Sequence, residues 1–123
     1  MNIKDDLVRH YHWLRQYGLN DSHSGNASVR DGDSVWVTPT GCCADTLSSG
    51  DLIECHIDGA TGKGASMDAR LHLAVYQTNP ATRALLHSHG PYSVAMTMDN
   101  EEFLPADFEG QLYFSRVPVL TIS

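Results

Sequence analysis

The sequence predicts an α/β protein, with α+β as the alternative: a single sheet covered by helices. Three observations carry that reading. Segments with the three- and four-residue spacing of amphipathic helices alternate irregularly with short apolar runs of strand type. Asp-Gly pairs at Asp31-Gly32 and Asp58-Gly59 mark tight turns at strand ends. A chain of 123 residues, 41% hydrophobic, is long enough for one real core, so residues 1–123 are expected to form one domain.

The elements follow in order. Ile3, Leu7, Tyr11 and Leu14 recur at helical steps, and Gly18 is a plausible stop. "LNDSHSGN" (residues 19–26) is rich in loop formers. "ASVR" and "SVWVTP" flank Asp31-Gly32-Asp33 as a hairpin, closed by Pro39-Thr40-Gly41 because proline cannot continue an interior ladder. "LIECHIDG" (residues 52–59) is a further short strand. "SMDARLHLAVYQTNP" changes period: Leu71 and Val75, with Ala74 beside them, give the helical stripe, Ser66 is the candidate N-cap, Asp68 falls in the first turn, and Pro80 ends it. "RALLHSHG" is an apolar strand, "GPYSVAMTM" starts a helix after Pro91, "DFEGQLYF" is a short amphipathic piece, and "RVPVLTIS" is a final strand.

Composition removes several classes of function. A net charge of −7, with the eight basic residues scattered, argues against nucleic acid as the main partner. No stretch approaches the roughly 20 apolar residues of a membrane helix, and "MNIKDDLVRHYHW" lacks the apolar region of a signal peptide. Cys42, Cys43 and Cys55 are odd in number, and two are adjacent, which suits neither a disulfide framework nor a zinc knuckle. They are expected to be free thiols in a reducing cytoplasm.

The chemistry concentrates at few positions. On a strand, His87 and His89 would point the same way about 6.6 Å apart, close enough for two imidazoles to converge on one ion. Neutral imidazole suits zinc, and a catalytic zinc wants three protein ligands with one open position. His10, His12, His56 and His72 stand alone and are expected to be packed or exposed imidazoles; His23 lies in the polar loop. Gly25-Asn26 before a strand, Thr40-Gly41 after one, and Ser66 at a helix start offer the donors that cradle an anion.

Taken in order, Gly25-Asn26-x-Ser28-Val29-Arg30, Thr38-Pro39-Thr40-Gly41, Ser66-x-Asp68-x-x-x-His72-Leu73-x-x-Tyr76 and His87-x-His89 resemble the class II aldolase/adducin family. The likeness is to its zinc-dependent sugar-phosphate aldolases of the fuculose-phosphate type, and it runs from about residue 5 to the last residue. It implies a mostly antiparallel class II aldolase-like sheet. It also implies Zn2+, or another divalent transition metal, on His87 and His89, and Asp68 as the general base. Asn26, Thr40, Gly41 and Ser66 would hold the substrate phosphate. The implied reaction is cleavage of a ketose 1-phosphate through a metal-stabilised enediolate. Dehydration or epimerisation by the same logic, and a non-catalytic adducin-like interaction domain, are the alternatives. Asp68 stands where the family usually has glutamate, Met67 where a second serine is common, and His23 where a small hydroxyl residue is frequent. The family's third zinc histidine and its proton donor lie further downstream than Ser123, so the chain is expected to be C-terminally incomplete, with little activity alone. A homo-oligomer, a tetramer by the same resemblance, is the expected assembly.

Overall fold

The first helix, α1 (Ile3–Gln16), begins where the Asn2 side chain accepts a hydrogen bond from the Asp5 amide at 2.9 Å. Asp5 and Asp6 in its first turn complement the helix dipole. It ends at Tyr17, and Gly18 follows in the left-handed region at φ 76°, as a helix-terminating glycine does. In this computed structural model residues 2–98 and 102–120 are described. They fall into two units, Met1–His89 and Gly90–Ser123.

In the first unit, β1 (Asn26–Asp31) and β2 (Ser34–Val37) form the expected hairpin, with Gly32 at φ 62° in the turn. They are joined by β3 (Ile53–His56) and β4 (Ala84–His87) in the order β3-β2-β1-β4, antiparallel throughout. The pleat gives each face a different character. Ala27 and Val29 of β1 turn to one face and pack with Leu7, Val8 and Tyr11 of α1 and with Ala44, Leu47 and Leu52. Val35 and Val37 of β2 turn to the other and pack with Cys55 and with Ala69, Leu73 and Tyr76 of α2 (Ala69–Thr78). Full burial of one such Leu or Val is worth about 1.5–3 kcal/mol, so the two clusters sandwich the sheet between its helices.

Four sequence expectations change. The buried stripe of α2 is Ala69, His72, Leu73 and Tyr76, whereas Leu71 is 55% exposed. The apolar pair Leu71/Val75 misled because the true stripe contains two polar members, a histidine and a tyrosine. The N-cap of α2 is Asp68 rather than Ser66, so Asp68 precedes the first turn. Ser66 Oγ accepts from the Asp68 amide at 3.2 Å instead. The second hairpin strand ends at Val37, and Pro39 forms only an isolated bridge with Ala65. The strand carrying the histidine pair stops at His87, leaving His89 beyond it.

The second unit holds α3 (Pro91–Thr97), which starts on its proline, and α4 (Phe108–Tyr113), capped by the Asp107 carboxylate accepting from the Gly110 amide at 2.9 Å. Between and after them β5 (Glu102–Phe103) pairs antiparallel with β6 (Val117–Pro118). The expected final strand is thus two residues long; its end, residues 121–123, lies outside the described residues. No helix among the described residues is long and apolar enough to cross a membrane.

Candidate active site

The start of β1, the ends of β2 and β4, and the N-terminus of α2 meet at one edge of the sheet. The ladder sets this directly, because Asn26 pairs with His87. Beyond β2, Thr38 N donates to Ala27 O at 3.0 Å, while Thr38 Oγ1 accepts from Ala27 N at 3.2 Å. The chain after β2 then runs beside the chain before α2: Thr40 N donates to Gly64 O at 2.8 Å and Ser66 N to Thr38 O at 3.0 Å. Loops distant in sequence are zipped together here by backbone hydrogen bonds.

Asp68 makes no capping bond from its position at the helix start. Its carboxylate is engaged elsewhere. Asn26 Nδ2 donates to Asp68 Oδ2 at 2.7 Å, and His87 Nδ1 lies 3.3 Å from the same oxygen. The His89 ring stacks on His87, with ring centres 4.8 Å apart and planes 27° from parallel. One buried side chain that the sequence marked only as a loop former holds this segment. Asn20 Oδ1 accepts from the His89 amide at 2.8 Å, and its Nδ2 donates to the His87 carbonyl at 3.4 Å. Nothing in the sequence separates Asn20 from its loop-forming neighbours; only the fold shows it buried.

Behind Asp68 lies a second feature that the sequence concealed. His72 Nε2 meets Asn26 Oδ1 at 2.5 Å, His72 Nδ1 meets Ser28 Oγ at 2.6 Å, and Ser28 Oγ meets Tyr76 OH at 2.8 Å. Ser28, His72 and Asn26 are 0%, 4% and 5% exposed. Burial holds the His72 imidazole below its ordinary pKa, opposed by the Asp68 carboxylate and reinforced by His87. The folded protein therefore takes up this proton less readily than the unfolded chain. Stability should fall as the pH drops below about 6.5, the unfolded value, and go on falling down to the lower folded value. Urea midpoints at pH 8 and pH 5 for the chain and for His72→Gln should show a smaller pH dependence in the variant; an equal dependence would remove His72 as the source.

The arrangement suits a metal ion in its donor chemistry. Two imidazoles and a neighbouring carboxylate are the mixed nitrogen and oxygen donors that zinc accepts. Among the described residues, however, no three His, Cys, Asp or Glu side chains form a closed metal-holding group. The residues expected to bind an anion are only partly gathered. Asn26 and Ser66 lie at this edge, while Thr40 and Gly41 are in the adjoining turn, Gly41 exposed at φ 65° with open space around it. Met67 is 91% exposed. The cavity of about 210 Å³ beside Ser66 is lined also by Gly62, Met67 and Arg70, and does not include Asn26 or Thr40. Two of the remaining histidines do ordinary work: His12 meets the Leu47 carbonyl at 3.0 Å, and His56 braces the turn at Asp58. All three cysteines are free thiols.

The sequence profile of the Class II Aldolase and Adducin N-terminal domain matches residues 5–121, and the chain belongs to that family. It is 31% identical over 94 residues to an L-fuculose phosphate aldolase of Methanocaldococcus jannaschii, covering 76% of this chain and 52% of that protein. It is 34% identical over 97 residues to the L-fuculose phosphate aldolase of Escherichia coli K12, covering 76% of this chain and 44% of the relative. The crystal structure of l-fuculose-1-phosphate aldolase from Thermus thermophilus superposes with a TM-score of 0.88 at 32% identity, over 98% of this chain and 64% of that one. The chain spans about half the length of the curated relatives it matches.

Proposed function

We propose that this chain carries the metal-binding and proton-transferring part of a zinc-dependent aldolase that cleaves a small ketose 1-phosphate. The observation that carries the proposal is the contact of Asp68 with both Asn26 and His87, with His89 stacked beside them. Family membership and the fuculose-phosphate aldolase relatives support the same reading.

In this reading His87 and His89 hold the ion, which when bound supplies Lewis-acid stabilisation for negative charge developing on the substrate. Asp68 carries the proton at the carbon whose bond is made or broken, a carboxylate's ordinary role beside a carbonyl. The Gly41 amide, the Thr40 and Ser66 hydroxyls and the free hydrogen of the Asn26 amide would orient the phosphate. A phosphate held by several donors fixes the reacting carbon relative to Asp68, which is where the rate gain from positioning arises.

Calorimetric titration with Zn2+ tests the metal half of the proposal. One ion per chain is expected for the unsubstituted protein, and none for His89→Ala. Unchanged stoichiometric binding by His89→Ala would overturn the assignment of His89 as a ligand.

A further inference from the structure

We propose that His72 is a positioning residue for Asp68 that acts through the Asn26 amide. The inference rests on the reading of Asp68 as the proton carrier. With Asn26 Nδ2 donating to Asp68 and the imidazole neutral, each polar contact in the buried row takes a single direction. Asn26 Oδ1 has only lone pairs, so the His72 Nε2 that meets it at 2.5 Å carries the hydrogen. A neutral imidazole with its hydrogen on Nε2 has a bare Nδ1, which accepts from the Ser28 hydroxyl at 2.6 Å. Ser28 Oγ, having donated its hydrogen, accepts from Tyr76 OH at 2.8 Å. The far end of the Asn26 amide then presents hydrogens, one of which goes to Asp68 Oδ2 at 2.7 Å. The direction runs one way, from Tyr76 through Ser28, His72 and Asn26 to Asp68.

The opposite setting shows what the row prevents. With the amide turned over, Asn26 Oδ1 would face the Asp68 carboxylate, two acceptors in contact, which a protonated Asp68 alone would relieve. The same turn would point an acceptor toward a substrate phosphate. One amide orientation therefore serves both the carboxylate and the anion, and His72 is the group that selects it. The sequence makes this economical: Asn26 and Ser28 share a face of β1, and His72 and Tyr76 share a face of α2, so strand and helix periods bring the four together. Partners that orient a site residue from behind typically matter about 10–100-fold in activity.

The test combines spectroscopy with kinetics on the full chain. In a 15N-labelled sample, two-bond proton–nitrogen correlations report which ring nitrogen of His72 carries the hydrogen. The Nε2–H form is expected, together with one Asn26 side-chain amide proton shifted downfield by its carboxylate partner. Ser28→Ala removes the donor to Nδ1 and replaces a buried hydroxyl by a hydrogen. It should mix the two His72 tautomers and shift the Asn26 amide signal, two residues along the row from the substitution. Tyr76→Phe keeps the Ser28 donor and should leave the Nε2–H form in place. An Nδ1–H form in the unsubstituted chain, or an unmoved Asn26 signal in Ser28→Ala, would overturn the proposal. Kinetically, Zn2+-dependent exchange of a dihydroxyacetone phosphate proton should lose about tenfold in kcat in Ser28→Ala with KM within about twofold. An unchanged kcat would break the link to Asp68. If the unsubstituted chain exchanges no proton, the aldolase reading fails on its own, and the spectra still decide whether His72 sets the Asn26 amide.

Discussion

Asp68→Asn is expected to lower Zn2+-dependent proton exchange on dihydroxyacetone phosphate by about 10²–10⁴-fold, the usual worth of a general acid or base. The substitution is nearly isosteric. Its amide oxygen can still accept from Asn26 Nδ2, so the contact that now measures 2.7 Å has a replacement and the start of α2 keeps its support. What disappears is the capacity to take a proton. Because the Asp68 side chain makes no capping bond, helix stability should hardly change, and a thermal melt within a few degrees of the unsubstituted chain is the matching control. A loss of less than about tenfold would take the proton-carrying role away from Asp68. Asp68 is also one methylene shorter than a glutamate. Asp68→Glu therefore separates reach from chemistry: it should keep measurable exchange where Asp68→Asn does not.

Gly25→Ala is expected to destabilise the first unit by about 3 kcal/mol. Gly25 sits at φ 72°, where a side chain strains the backbone. A Cβ there would also overlap the Asn20 side-chain amide and the His87 carbonyl oxygen. Left-handed strain of about 1 kcal/mol and overpacking of about 1–3 kcal/mol add to that figure. In a chain of this size the melting temperature should fall on the order of 10 °C. The functional consequence is separate from the stability loss, because the displaced atoms are those that hold the histidine segment. Asn20 bonds both the His87 carbonyl and the His89 amide, so pushing it aside should weaken Zn2+ binding even well below the melting temperature. Differential scanning calorimetry and Zn2+ titration together check both effects; an unshifted melt would contradict the close packing around Gly25.

Much of this arrangement was legible in the sequence, for identifiable reasons. The hairpin was fixed by Asp31-Gly32 between two alternating runs, and the first helix by Leu7, Tyr11 and Leu14. The histidine pair was visible as two side chains on one face, although His89 reaches that face from beyond the strand, held by Asn20 rather than by a ladder. The row behind Asp68 was not legible. On β1 the alternation Asn26, Ser28 against Ala27, Val29 is the pattern of a strand with one wet face. The polar face is instead buried, because α2 covers it with His72 and Tyr76. Single-residue reading places an isolated histidine such as His72 in the core or on the surface. It does not reveal that polar neighbours meet it there, since Asn26 and Ser28 come from a strand 44–46 residues earlier in the chain. The misplaced stripe of α2 has the same origin: the apolar pattern points to Leu71, while the packing follows polar groups that satisfy one another.

The most direct measurement follows dihydroxyacetone phosphate by proton NMR in D2O with the chain, with and without Zn2+. This half-reaction needs only an ion held at His87 and His89 and a carboxylate that carries the proton, so no aldehyde partner enters. The account predicts Zn2+-dependent loss of one hydroxymethyl proton signal, faster than with free Zn2+ alone and abolished by His89→Ala or Asp68→Asn. Exchange no faster than with Zn2+ alone, or equal exchange in both variants, would contradict it.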